Sequence, residues 1–227
     1  MLRASSFRFI SLVGVLAGSV SAGPLSATQL GGRPAEEWAI TLESGRRLGG
    51  LEIDEVVSKM ELRSGDVVAD VVADVGAGTG IFYVSLARAV GPSGTVLAVE
   101  IDPGFLPMID QKAQAGGVSN IRTVLGEYED PRLPRNDVDV IFFRDVLHHV
   151  EGRAAYIRET AKYVPNGSRI VVVDYYGGHP DAPHGDQPEL QITLEEVRGW
   201  MDQAGLTMTR EIDLFDDKFF VVFTKRN

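Results

Sequence analysis

The stretch from Val67 to Gly80 joins an apolar, β-branched run to three glycines at alternate positions, Gly76, Gly78 and Gly80. Such a run predicts a buried strand that ends in a tight turn before a helix. Because glycine has no Cβ, the backbone of this turn can adopt otherwise strained dihedral angles and lie directly against a ligand. The stretch therefore predicts an open α/β sheet with a ligand at the carboxyl end of its first strand.

The residues that follow the glycines strengthen this interpretation. Residues Ile81 to Val90 continue at helical spacing, and Thr95 to Glu100 form a second apolar strand that ends in an acid. A carboxylate about 20 residues past the glycines is where a ribose-binding acid is expected in a Rossmann-like unit. Glu100 is the predicted ribose-binding residue.

Three segments together resemble the class I S-adenosylmethionine-dependent methyltransferases. They are Asp74 to Gly80 (Asp-Val-Gly-Ala-Gly-Thr-Gly), Val99 to Asp102 (Val-Glu-Ile-Asp) and Asp137 to Phe143 (Asp-Val-Asp-Val-Ile-Phe-Phe). The glycine turn reads G-x-G-x-G and so differs from the dinucleotide fingerprint G-x-G-x-x-G. This difference favours a methyltransferase over a nicotinamide-dependent oxidoreductase.

A narrower likeness is to bacterial methyltransferases with Asp-Pro-Arg-Leu-Pro before the fourth strand and two histidines after it. Here these are Asp130 to Pro134 and His148-His149. The resemblance implies a Rossmann-like three-layer α/β sandwich, with a seven-stranded, mostly parallel sheet whose last strand is antiparallel. It also implies S-adenosylmethionine as the methyl-donor cosubstrate. The predicted cofactor-binding residues are Asp74, Gly76, Ala77, Gly78, Gly80, Glu100, Ile101, Glu127, Tyr128 and Arg144.

Methyl transfer from a sulfonium requires few catalytic groups, because the enzyme mainly positions two reactants and, for some acceptors, removes a proton. The candidate catalytic residues are His148, His149, Asp145 and Tyr175. Histidine has a pKa near 6.5, which suits a general base, although adjacent histidines at such a junction also serve as cap or packing residues. We predict no metal ligand, since a catechol-type arrangement of Asp145 and Asp174 would need an asparagine where Tyr175 stands.

The composition limits the chemical classes of methyl acceptor that we expect. The chain has 32 acidic and 22 basic residues, a net charge of −10 and no cysteine. It contains no basic run that could follow a phosphate backbone, and Arg144-Asp145-Val146 replaces the signature of amino-directed DNA methyltransferases. We therefore expect no nucleic-acid partner and a small-molecule, lipid or quinone-like acceptor. A non-catalytic, ligand-binding protein of this fold stays an alternative, and the oligomeric state is not predicted.

The amino-terminal region divides into two parts before the main domain. Residues 1–22 combine Arg3 and Arg8 with an apolar run and end in Ser-Ala, which is typical of a cleaved secretory signal peptide. We expect export to the periplasm or outside the cytoplasm, with a cytoplasmic or organellar chain as the alternative, and no stable membrane span once the leader is removed. Residues 23–60 are a linker and helical segment, and 61–227 the methyltransferase domain.

Three further expectations concern local structure. The sequence Val-Val-Ala-Asp occurs twice in succession, at 67–70 and 71–74, which predicts either a lengthened first strand or a looped-out segment from Asp66 to Asp70. Apolar positions between Ala35 and Met60 predict one or two helices, with Trp38 as a packing residue. The loop from Tyr175 to Ile192, with three prolines and two histidines, is the predicted substrate-lining lid.

We predict that residues 1–22 do not contribute to the fold, because their composition is that of a leader. A chain that begins at Gly23 should therefore melt at the same temperature as the full chain in differential scanning calorimetry. A large loss of stability would show that the leader packs on the domain.

Overall fold

The computed structural model describes residues 33–72 and 79–227. Seven strands form one sheet in the order β3-β2-β1-β4-β5-β7-β6. The strands are β1 Val67–Val72, β2 Thr95–Glu100, β3 Ile121–Leu125, β4 Val140–Arg144, β5 Arg169–Tyr175, β6 Leu206–Glu211 and β7 Lys218–Lys225. Strand β7 pairs antiparallel with both β5 and β6, whereas β1 to β5 are parallel to one another. The predicted fold class is confirmed.

In the described residues, seven α-helices accompany the sheet. They are α1 Ala35–Leu42, α2 Gly45–Gly49, α3 Ile53–Lys59, α4 Tyr83–Val90, α5 Leu106–Ala115, α6 Arg153–Thr160 and α7 Leu194–Gln203. The chain runs from β1 to β3 in one direction across the sheet and from β4 to β5 in the other. Since parallel crossovers are right-handed, helices of the two halves belong on opposite faces. Accordingly, α4 packs with α3 and α5, and α6 packs with α7.

The centre of the sheet is apolar on both faces. All five residues of β4 are buried, and Val140 to Phe143 have no exposed surface. Continuous burial of this kind is expected of a parallel strand with helices on both sides. Each fully buried Val, Ile or Phe side chain contributes about 1.5–3 kcal/mol relative to an exposed one. This core holds the carboxyl ends of the strands in fixed positions.

The first copy of the Val-Val-Ala-Asp repeat forms part of strand β1. Residues Val67 to Asp70 lie within β1 and pair with Thr95 to Ala98 of β2. Of the two predicted alternatives, the looped-out segment from Asp66 to Asp70 is therefore wrong, and the first copy is part of the strand. In-register pairing with β2 satisfies the backbone hydrogen-bonding groups of these residues, which a loop would leave to solvent. The strand continues to Val72, whose partner is Glu100.

The amino-terminal segment forms three short helices rather than the one or two expected. Ser44 and the pair Gly49-Gly50 interrupt the helical run, and glycine is a poor helix former. Helix α1 packs against the start of α5 through Leu42 and Phe105, and Trp38 joins this small cluster as a packing residue. The leader and the residues up to 32 lie outside the described residues. Within the described part of the chain, no helix has the length and hydrophobicity that a bilayer crossing requires.

A capping box formed by Thr193 and Glu196 stabilises the start of α7. The Glu196 backbone N–H donates to Thr193 Oγ1 at 3.2 Å, and the Thr193 N–H donates to Glu196 Oε2 at 2.8 Å. Two amide groups at the helix start, which have no partner within the helix, are satisfied in this way.

We predict that Thr193→Ala lowers the free energy of unfolding by about 1 kcal/mol, because an N-cap hydroxyl replaced by alanine costs about 0.5–2 kcal/mol. Urea denaturation measures the difference. Glu195→Ala is the matched control, since Glu195 lies exposed in the same helical turn outside the capping box. Equal effects of the two substitutions would contradict a specific contribution from the cap.

Candidate active site

The predicted site residues that the structure describes lie at one edge of the sheet. The chain order reverses between β1 and β4, and ligands of open α/β sheets bind outside the carboxyl ends of the strands at such a point. Strand β2 brings Glu100 to this edge, β4 brings Arg144 and Asp145, and β5 brings Asp174 and Tyr175.

Glu100 ends β2 as a buried carboxylate with 1% exposure. One of its oxygens, Oε1, accepts hydrogen bonds from the backbone N–H groups of Ile101, at 2.8 Å, and Asp102, at 3.1 Å. These bonds fix the carboxyl group at the strand end. A buried acid held in this way suits hydrogen bonding to a pair of hydroxyl groups, as the sequence predicted.

Four predicted cofactor residues of the glycine turn, Asp74, Gly76, Ala77 and Gly78, lie outside the described residues. The structure describes the end of the turn at Gly80, whose φ of +79° lies in the left-handed region. A Cβ at Gly80 would stand 2.8 Å from Tyr83 Cδ2. Glycine is therefore required there by both backbone conformation and space.

The predicted cofactor-binding residues Glu127 and Tyr128 follow β3. Gly126 lies close against β2, because a Cβ there would approach Val99 Cγ1 to 2.9 Å. Glu127 forms a 2.6 Å ion pair with Arg132 at the surface. Tyr128 is 41% exposed, so a large part of its ring faces solvent at this edge.

Arg144 and Asp145 form a buried ion pair at the end of β4. Arg144 Nη1 donates to Asp145 Oδ1 at 2.6 Å, and the guanidinium lies 6.0 Å from the ring centre of Phe82 and 5.1 Å from that of Phe215. Its Nε and Nη2 atoms are buried and have no hydrogen-bond acceptor among the described residues. Two buried donors beside Phe82, which directly follows the glycine turn, fit a site for an acidic cofactor group.

Asp145 is held in an unusual conformation. Its φ is +52°, which for a residue with a side chain stores local strain, and its N–H donates to Val173 O at 2.9 Å. Burial raises the pKa of Asp145 above its usual range, and the nearby charges of Arg144 and Lys218 act in the opposite direction. Strained, buried polar residues of this kind are concentrated at functional sites.

Tyr175 lies beside this pair. Burial, and then the charge of Asp145, raise the pKa of Tyr175 to about 12. The phenol is therefore protonated at neutral pH and can donate a hydrogen bond, which disfavours Tyr175 as a general base. Lys218 Nζ lies 4.3 Å from the centre of the Tyr175 ring and 3.1 Å from Asp217 Oδ2.

The carboxylate of Asp174, which was not among the predicted site residues, orients His148. Asp174 has no exposed surface; its Oδ1 lies 2.6 Å from His148 Nδ1, and its Oδ2 accepts from the His148 backbone N–H at 3.1 Å. The tautomer that donates from Nδ1 leaves a lone pair on Nε2, which is buried without a partner among the described residues. Such a nitrogen can accept a proton or ligate a metal.

The lid loop adds another histidine to the site. The ring of His149 lies 4.0 Å from that of His148 and 5.0 Å from that of His184, between ring centres. Burial, and then His148 and His184, lower the pKa of His149 to about 3, so its ring is neutral and a weak base at physiological pH. Arg47 of α2 is near enough to affect the pKa of His149, Asp145 and Tyr175.

Three of these residues, Asp174, His184 and Arg47, were not among the predicted site residues. Asp174 ends an apolar strand as Glu100 does, and the sequence analysis considered it only as a metal ligand. His184 and Arg47 lie in a loop and a short helix far along the chain from β4. No spacing rule connects them to His148, and only the fold brings them together.

Comparison with known proteins identifies the domain. A family described as a methyltransferase domain matches residues 73–172. A demethylmenaquinone methyltransferase of Geobacillus sp. is 24% identical over 53% of this chain and 50% of its own length. The ubiquinone/menaquinone biosynthesis C-methyltransferase UbiE of Azotobacter vinelandii is 30% identical over 46% of this chain and 42% of its own. The chain spans about half the length of the curated relatives it matches.

A solved structure extends the match to most of the fold. The crystal structure of a SAM-dependent methyltransferase from Aquifex aeolicus has a TM-score of 0.72 and 22% identity, covering 84% of this chain and 98% of that one. At this identity the similarity shows the fold. Residues 73–172 therefore match a methyltransferase domain, and they lie in a chain whose fold is that of an S-adenosylmethionine-dependent methyltransferase.

Proposed function

We propose that this chain transfers the methyl group of S-adenosylmethionine to a small quinol-like or phenolic acceptor. The observation that carries the proposal is the position of buried Glu100 at the carboxyl end of β2, beside β1, in a chain whose methyltransferase domain matches residues 73–172. This is the place where the fold binds a ribose.

The cofactor half of the site comprises Glu100, Gly80, Tyr128 and Arg144. Glu100 is positioned by the N–H groups of Ile101 and Asp102 and would accept hydrogen bonds from ribose hydroxyls. Two buried guanidinium donors of Arg144 would meet an acidic group such as a carboxylate. S-adenosylmethionine supplies an activated methyl group on a sulfonium, and the role of these residues is to bind and orient it.

The acceptor half lies at the ends of β4 and β5. Asp145, Tyr175, His148 and His149 gather there, with the lid loop that carries His184 beside them. Polar groups and aromatic rings combined in one place suit a flat acceptor with an ionisable hydroxyl. Two relatives named for menaquinone or ubiquinone methylation support an acceptor of this type.

The reaction needs positioning and the loss of one proton. A nucleophilic atom of the acceptor bonds to the methyl carbon as the carbon–sulfur bond breaks, leaving a neutral thioether, and the acceptor releases a proton. The Asp174–His148 pair is the buried group at this end of the site that can promote that loss. The nicotinamide-dependent alternative is less favoured, because the domain match and the relatives' names indicate methyl transfer.

We predict that Glu100→Gln lowers the affinity for S-adenosylhomocysteine about tenfold or more, since hydrogen bonds to a charged acceptor contribute about 1.5–3 kcal/mol and 1.4 kcal/mol is a factor of ten. Isothermal titration calorimetry measures the affinity, and the melting temperature without ligand should change little. Glu195→Gln, an exposed change of the same type, is the control. Strong destabilisation of the free protein with intact affinity would make Glu100 a structural residue.

We predict turnover with an acceptor that has an ionisable hydroxyl. Transfer of a labelled methyl group from S-adenosylmethionine should be measured on a demethylmenaquinol analogue, a simple phenol, phosphoethanolamine and an oligonucleotide. The quinol analogue or the phenol should be methylated, and the oligonucleotide should not, because the chain is strongly acidic. Tight S-adenosylhomocysteine binding without methylation of any hydroxyl acceptor would favour the non-catalytic alternative.

A further inference from the structure

Three histidines from two separate segments meet at the acceptor end of the site. His148 and His149 belong to the short 3-10 turn Leu147–His149 after β4, and His184 comes from the loop after β5. One ligand nitrogen from each ring lies within 4.8 Å of the other two. Two nitrogens bound to the same tetrahedral zinc would be about 3.4 Å apart, given Zn–N bonds of 2.0–2.1 Å. Zinc binding would therefore draw the three rings closer together than the observed spacing.

The carboxylate of Asp174 prepares one of these rings for a metal. It lies 2.6 Å from Nδ1 of His148, so Nε2 is the nitrogen left to act as a ligand. In the described part of the chain, this Nε2 atom is buried and has no hydrogen-bond partner. A histidine that donates one ring N–H to a carboxylate and presents its other nitrogen inward is the usual arrangement of a metal-binding histidine.

The two segments that carry the histidines are joined by hydrogen bonds. The guanidinium of Arg153 donates to the backbone carbonyls of His148 and Glu189. Gln191 Nε2 donates to the carbonyl of His184 at 2.7 Å, and its Oε1 accepts from the Gly178 N–H at 2.9 Å. The loop is therefore held where its histidine faces the other two.

We propose that His148, His149 and His184 form a binding site for a divalent transition-metal ion, with Zn²⁺ as the best match. Three neutral imidazoles suit zinc and neighbouring metals such as Co²⁺ and Ni²⁺, whereas Mg²⁺ and Ca²⁺ prefer oxygen ligands. The prediction of no metal ligand from sequence alone is revised here, because it considered only Asp145 and Asp174.

Three protein ligands leave the fourth position of a tetrahedral zinc open, as in catalytic zinc sites. That position would take an oxygen ligand, either water or the hydroxyl of an acceptor. A bound metal would lower the pKa of that hydroxyl, so that its proton would pass more readily to solvent water. This catalytic role rests on the proposed function, whereas metal binding itself does not. With Nε2 on a metal, His148 is a ligand and the general base is no longer needed.

Metal binding is tested directly on the full chain, prepared without a polyhistidine tag and freed of metal by a chelator. Zinc is titrated in competition with a chromophoric chelator, and Co²⁺ is added separately to record the visible absorption of a tetrahedral complex. We expect one equivalent of zinc to bind and His184→Ala to weaken binding about 100-fold or more, since a three-histidine site loses a ligand. The Co²⁺ spectrum of the variant should lose its tetrahedral bands.

His179→Ala is the matched control, because His179 lies on the same loop but outside the cluster, with Nδ1 accepting from the Asp181 N–H at 3.2 Å. It should bind zinc as the unchanged protein does. Failure of the unchanged protein to bind one equivalent of zinc, or equal losses in the two variants, would overturn the proposal. S-adenosylhomocysteine calorimetry on all three proteins shows whether the variants are folded. It also separates the two proposals, because zinc binding without S-adenosylhomocysteine binding contradicts only the proposed function.

Discussion

The reversal of chain direction between β1 and β4 is the constraint on which the site depends. Right-handed crossovers carry the chain away from this point on both sides, so the carboxyl ends of β1, β2, β4 and β5 open at one edge of the sheet. The fully buried β4 fixes that edge from within. Residues that are distant in sequence, such as Glu100 and Asp174, thereby become parts of one site without any direct contact between them.

Much of the fold could be predicted from the sequence, because its signals are local. The limits of β2 agree with the predicted run Thr95 to Glu100, because this apolar segment ends in an acid. The capping box at Thr193 was also predictable from four residues. The sequence could not decide between the two structures predicted for the repeat in β1. Side chains of a strand alternate between the two faces of the sheet, and a longer strand and a four-residue loop both leave the later residues on the same face.

The candidate site was only partly predictable, for a related reason. Strand-end acids and the paired histidines have local signatures, but the partners that set their chemistry come from elsewhere. Asp174 orients His148 across 26 positions of sequence, and His184 reaches the same place from the long loop after β5. The pKa of His149 depends on burial among these neighbours, which no local pattern records.

The concentration of buried charge at this edge is best explained by function. Arg144, Asp145, Asp174 and Lys218 are all at most 7% exposed, and burying ionic groups in place of apolar ones of similar volume often lowers stability. Asp145 adds backbone strain to that cost. The apolar centre of the sheet supplies the stability that offsets both. A fold that needed these residues only for packing would gain from replacing them, so their presence together indicates a site built to bind and activate ligands.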